Sequence, residues 1–192
     1  MGVLRQETPT EYFRDLVDSA LARQRIQASE LTAFYLVNLL AGFVRLDRAG
    51  VPDVEPLAVQ FVRSLETGGT RRRVILRSLG DVSLFVSGFF ADSLARRVVD
   101  VDYYVAMGEY AYGRLSQTGG DPFAEVFAEL AADFLRFVDV LGDVSERGGL
   151  SSDADLLRLY EKWLRTRSVR DGHRLAARGI APNASMGERF IQ

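Results

Sequence analysis

Acids and phenols concentrate in one part of this chain. Directly after an apolar run, Asp100, Asp102, Tyr103, Tyr104, Glu109, Tyr110 and Tyr112 fall within thirteen residues. Carboxylates hold divalent cations or take protons, and phenols donate to oxyanions, so these types at helical spacing outline a ligand pocket. It would lie between two helices, lined by Phe89, Phe90, Tyr103, Tyr104 and Tyr110, with Asp92, Asp100 and Asp102 at its mouth. The same residues have a plainer reading, favoured by composition, in which the rings pack in the core and the hydroxyls reach its rim. No metal ligand or cofactor is assigned. Mg²⁺ on Asp100 and Asp102, gripping a phosphate or diphosphate, belongs to the pocket reading alone.

Other carboxylates are spaced to share a helix face. Asp81 and Asp92 are eleven residues apart, about 20 degrees on a helical wheel, with Gly88 between them. Two accounts stand: acids flanking a small-residue groove, or an N-cap at Asp81 and an ion pair of Asp92 with Arg96. Glu125, Glu129 and Asp133 recur at i, i+4 and i+8 away from the neighbouring apolar seam, which reads as a solvated acidic face. Tyr104, Gly108, Ala111 and Leu115 form a stripe whose small middle residues admit a second helix.

Several chemistries are excluded by residue type. Cysteine is absent, which removes disulfides, thiolate metal sites and a cysteine nucleophile. His173 is the one histidine, so paired Glu-x-x-His di-iron motifs, an HExxH zinc helix and a histidine-rich phosphohydrolase centre cannot be built. His173 itself sits among Arg170, Arg174 and Arg178 and reads as a basic-surface residue. GxxxxGK[ST], GxGxxG and GxSxG are missing, as is the full Asp-Asp-x-x-Asp signature of helical diphosphate enzymes.

The elements that must position these groups are helical throughout. Thr8, Pro9 and Glu11 make an N-terminal cap, after which Tyr12, Phe13, Leu16, Val17, Ala20 and Leu21 recur at helical spacing. A second helix over about 30–49 buries Leu31, Phe34, Tyr35, Leu39, Phe43 and Leu46. A third turns Leu57, Phe61, Val62 and Leu65 inward. Gly80 and Asp81 then read as a break, a C-terminal glycine followed by a new N-cap. From there a helix to about 98, uncharged from Val82 to Ala91, is the buried centre of the domain. Another runs from about Asp100 to Ser116. Asp121 and Pro122 open the most regular helix, with Phe123, Phe127, Leu130, Phe134, Phe137 and Leu141 in steps of four and three. Ser152 and Asp155 cap the helix that carries Tyr160 and Trp163. No alternating apolar pattern supports a strand. The expected fold is all-α: a single-domain helical bundle of seven or eight helices around the central helix at about 81–98, spanning 1–178, with a C-terminal tail at 179–192.

Composition and charge bound the setting. The chain has 192 residues, is 47% hydrophobic and 26% charged, and carries a formal net charge of −2, so no overall field draws it to nucleic acid or anionic lipid. The longest uncharged run, Leu31 to Val44, is fourteen residues, short of the about 20 that span a bilayer. No secretory leader is visible, and the expectation is a soluble cytoplasmic protein without a membrane span. Charge is nonetheless uneven, since Arg158, Lys162, Arg165, Arg167, Arg170, Arg174 and Arg178 face only Glu161 and Asp171 across that segment. Without a nucleic-acid motif, this patch suits protein contact better than RNA or DNA.

Three functions follow. A non-enzymatic helical interaction or assembly module, binding another protein or itself with a dimer as the default, is the leading one. A small-molecule binder or Mg²⁺-dependent enzyme using the Asp/Tyr pocket is the alternative. Weak nucleic-acid binding through 158–178 is the third.

Overall fold

The reciprocal pair expected at the first helix forms in the structure, a computed structural model describing residues 8–43, 56–90, 94, 101–148, 159–160, 162–163, 168–177 and 180. Glu11 donates its N–H to Thr8 Oγ1 at 3.3 Å, and Thr8 donates its N–H to Glu11 Oε2 at 2.9 Å. Helix α1 (Pro9–Gln24) ends at Arg25, in the left-handed region with φ 54°. Phe13, Val17, Ala20 and Leu21 face inward, while Tyr12 is exposed and donates its hydroxyl to the Gly148 carbonyl.

Among the described residues the other bounded helices are α2 (Glu30–Phe43), α3 (Leu57–Glu66), α4 (Gly69–Phe89), α5 (Val101–Ser116), α6 (Ala124–Ala132), α7 (Phe134–Arg147) and α8 (Val169–Ala176). They contain no strand, and the fold is an all-α bundle around a buried central helix. That helix is α4. Every residue from Ser78 to Phe90 is buried, and α4 packs most extensively on α5, then on α7, α3 and α2. Helix α1 lies across α2 and α7, and α6 lies across α5. No helix among the described residues is long and apolar enough to cross a membrane.

Four local expectations are corrected. Helix α4 runs unbroken through Gly80 and Asp81. Gly80 is no terminator; the Tyr112 ring occupies the space of its missing side chain, and an added Cβ would stand 2.6 Å from Cε1. The helix expected from 121 to 141 is instead two, broken at Asp133 (φ −118°, ψ 32°). Its seam residues Phe127, Leu130, Phe134, Phe137 and Leu141 all remain buried, and the bend aims Phe134 at Gly108.

Helix α3 is turned from its expected face: Leu57, Gln60 and Ser64 are buried, while Val62 and Leu65 are 51% and 55% exposed. Small Ser64 can face the core because its hydroxyl donates to the Phe61 carbonyl of its own helix at 2.7 Å. At the start of α2, Leu31 and Phe34 are exposed, because the inner face is centred on Tyr35, Leu36, Leu39 and Leu40.

Beyond α7, Leu159, Tyr160 and Trp163 are helical and buried. The expected caps at Ser152 and Asp155, Leu46 and most of the tail lie outside the described residues. Ile180, assigned from sequence to the tail, is buried and donates its N–H to the Leu175 carbonyl at 3.0 Å.

Helix packing on α4 depends on Gly88, where an added Cβ would lie 2.5 Å from Leu141 Cβ and 3.1 Å from the Val138 carbonyl oxygen. A Cβ cannot rotate away, so α4 and α7 would have to separate. In chemical denaturation Gly88→Ala is expected to lower the unfolding free energy by about 1–3 kcal/mol. Gly113→Ala on α5, whose new methyl would meet nothing within 4 Å, is expected to show the ordinary helical gain of about 0.5–1 kcal/mol.

Candidate functional site

The chemistry-bearing groups that the fold brings together are Tyr35, Arg77, Asp81 and Tyr112. Asp81 sits in the buried middle of α4, 3% exposed. Its Oδ1 accepts the Tyr35 hydroxyl from α2 at 2.5 Å and the Tyr112 hydroxyl from α5 at 2.8 Å. One turn earlier on α4, Arg77 donates Nε to the Tyr35 oxygen at 3.1 Å. Its guanidinium lies over the rings of Tyr35, Phe123 and Phe127, 5.1, 5.2 and 5.7 Å from their centroids. Phe127 of α6 meets Tyr35 edge-on and stacks on Tyr112, each at 5.7 Å. A charged pair bridged by a phenol is thus walled by aromatic rings from three helices.

Burial sets the electrostatics. It pushes the Asp81 carboxyl above its ordinary 3.8, against the pull of Arg77 and of the two phenol donors. It also raises the Tyr35 and Tyr112 hydroxyls well above 10.0, and the neighbouring Asp81 charge raises them further. Asp81 Oδ2 is buried and has no hydrogen-bond partner among the described residues. A general base must reach a substrate proton, whereas Asp81 Oδ1 is engaged by two phenols of the core. This arrangement joins helices and holds protons in place.

The expected pocket residues have different neighbours. Phe89 and Phe90 are buried; both pack on Phe85, and Phe90 also on Tyr160. Tyr104 is buried and meets half-buried Tyr103 edge-on at 5.3 Å, and burial raises the Tyr103 phenol above its ordinary value. Tyr110 packs on Phe61 of α3 at 5.1 Å. Asp102 is exposed on the first turn of α5. Asp92 and Asp100, and with them the Asp100/Asp102 pair, lie outside the described residues. Among the described residues no three acidic or histidine side chains converge as a metal site.

The proposed surfaces are also rearranged. Glu129 does not belong to a solvated acidic face. It receives the Ser29 N–H at 3.0 Å and hydroxyl at 2.9 Å, and the Thr32 hydroxyl at 2.6 Å, fastening the start of α2 to α6. The notch at Gly108 is filled within the chain by the Phe134 ring. In the basic segment, Lys162 pairs with buried Asp171 at 2.8 Å and Arg174 approaches it at 3.9 Å, while Arg170 and His173 are exposed. Arg158, Arg165, Arg167 and Arg178 lie outside the described residues.

Sequence reasoning missed Tyr35, Arg77 and Tyr112 as partners of Asp81. The signal was an arginine four residues before an acid at the edge of the uncharged run, with a glycine beside the acid to admit a ring. Comparison with protein-family models, curated proteins and solved structures returns no match.

A carboxyl that binds its proton more tightly folded than unfolded makes stability fall as pH rises from 3.8 through the raised folded value. The phenols carry the same sign on the alkaline side, above 10.0. In urea titrations from just below pH 3.8 to neutrality, wild type is expected to lose unfolding free energy relative to Asp81→Asn. Parallel curves would show that Asp81 binds its proton no more tightly in the folded chain than in the unfolded one, and would overturn the raised value. Tyr112→Phe removes a donor to this carboxylate and is expected to cost about 1.5–3 kcal/mol in the same measurement near neutral pH.

Proposed function

We propose that the protein is a non-enzymatic helical interaction module that self-associates through the outer face of α3. The observation carrying this reading is the apolar outer face of that helix, which comes in addition to the Leu57 and Phe61 that it already packs on the core. It buries Gln60 and Ser64 along with Leu57 and turns Val59, Val62 and Leu65 outward, 44%, 51% and 55% exposed. A helix that spends polar residues on its inner face while leaving three large aliphatic ones outside is suited to a second apolar surface.

The spacing of the three residues favours a second copy as the occupant. They recur every three positions along one side of α3, and about a two-fold axis through Val62 two antiparallel copies would place Val62 against Val62 and Val59 against Leu65. A face that complements itself in this way fits an isologous dimer. The strip alone is well short of the about 800 Å² that each partner of a stable interface buries, so the association is reversible and concentration-dependent.

Sedimentation equilibrium of the full chain over a wide concentration range tests this. Wild type is expected to rise from monomer toward dimer mass, and Val62→Glu/Leu65→Glu to stay monomeric with an unchanged helical circular dichroism spectrum. A wild type that stays monomeric throughout, or a variant that associates equally well, would overturn the reading.

A further inference from the structure

A cleft of about 470 Å³ lies between the first turns of α4 and the last turn of α5. Its volume falls in the range of small-molecule sites. Its polar lining comprises Thr70, Arg72 and Arg73 from α4, Arg114 from α5, and Gln117 and Thr118 just beyond α5. Leu76 supplies apolar wall. Three arginines therefore border one half-open cleft, and no carboxylate is among its described lining residues.

The local charges leave a surplus. Arg73 donates Nη2 to Asp121 Oδ2 at 2.8 Å, and Asp121 is steadied by the Phe123 N–H at 2.9 Å. Among the described residues one carboxylate thus answers one of the three cations. Arg72 is half-buried, and its Nε is buried with no hydrogen-bond partner among the described residues. Arg114 is exposed and has no acidic partner among the described residues. Like charges gathered in partial burial repel one another, and an orphaned guanidinium donor loses hydration without replacement. A ligand with two or more negative charges and several acceptor oxygens relieves both at once.

The surroundings favour the same ligand. The cap residue of α4 is Gly68, with no side-chain cap, so first-turn N–H groups face the same end of the helix. The Thr70 hydroxyl and the Gln117 amide are available to a tetrahedral oxyanion, the Thr118 hydroxyl being given to the Arg114 carbonyl at 3.2 Å, and arginine forks match phosphoryl oxygens two at a time. The three arginines and the cleft between them define the site; the helix end adds to its field. The cleft is also rigidly founded. Arg73 stands one turn before Arg77, which is anchored on Tyr35 and three aromatic rings.

We propose that the cleft bounded by Arg72, Arg73 and Arg114 binds the phosphoryl group of a small molecule, or free phosphate. This inference is independent of association through α3. The test is isothermal titration of the full chain with inorganic phosphate, inorganic pyrophosphate and a nucleoside monophosphate, at constant ionic strength, with acetate as the singly charged control.

Saturable binding of at least one phosphoryl probe, tighter than acetate, is expected. A monophosphate ester that outcompetes inorganic phosphate assigns the site to an organic phosphate, and the reverse order assigns it to the free anion. Arg114→Gln, at an exposed position, is expected to weaken binding about tenfold, and Arg72→Gln/Arg114→Gln to abolish it with the thermal midpoint retained. Should the double variant unfold, Arg114→Gln alone decides. No saturable binding by wild type, or equal affinity in Arg114→Gln, would overturn the site.

Discussion

The carboxylate of Asp81, held in the middle of the central helix, sets the conditions under which the rest of the bundle assembles. A carboxylate taken out of water costs several kcal/mol unless it is paired and hydrogen-bonded. Here the compensation comes from three directions: a phenol on α2, a phenol on α5 and a guanidinium one turn away on α4. Each donor has to arrive at the correct height along α4, so one buried charge sets the register of three helices. Phe127 brings in a fourth by packing against both phenol rings. Such a group contributes to choosing one arrangement over its competitors more than to net stability, because an apolar substitute of the same shape could pack as well without choosing a register.

Close approach of the backbones makes that geometry possible. Tyr112 reaches Asp81 because its ring lies where Gly80 has no side chain, and Phe134 enters the space above Gly108 in the same manner. Leu141 and the Val138 carbonyl close on Gly88, which seats α7 against the far end of α4. The bend at Asp133 belongs to this scheme, since Phe134 and Leu141 serve different helices. Polar contacts at the periphery complete it. Glu129 fastens the start of α2, and Asp143 joins α1 to α7 by accepting from Arg23 at 2.7 Å and from Arg147 at 2.8 Å.

With the acids and phenols of the core committed to one another, the features that suit contact with other molecules lie at the periphery. Helix α3 presents aliphatic side chains to solvent, and the α4–α5 end gathers three arginines around a cleft. They are different in kind: an apolar strip that complements itself, and a cationic cleft sized for a small anion. Both border α4, whose inner half is locked by Asp81, so each is presented on a rigid support.

Much of the architecture was legible in the residue order because it depends on local rules. The capping box at Thr8 and Glu11, the apolar spacing of α1 and the uncharged run of the central helix specify helices without reference to distant residues. Burial on every side of Val82 to Phe90 required a central position, and the structure has it. The Asp81 cluster was not legible in the same way: Tyr35, Arg77 and Tyr112 stand 46, 4 and 31 residues from Asp81, and nothing in a single sequence ranks those pairings above others. The sign of Gly80 was misjudged for a related reason. A glycine that ends a helix and one that admits a ring look alike until the ring is placed.

The sequence by itself determined that the chain is all-α, that its centre lies near residues 82–90, and that cysteine chemistry and centres built on several histidines are closed to it, because periodicity, caps and residue types act locally or by absence. Tertiary structure alone decided that Asp81 is a buried partner of two phenols, that α3 turns Val62 and Leu65 outward, and that Arg72, Arg73 and Arg114 share one cleft. Those outcomes depend on which helix lies against which, a choice made by packing volume and by the cost of leaving a buried charge unanswered.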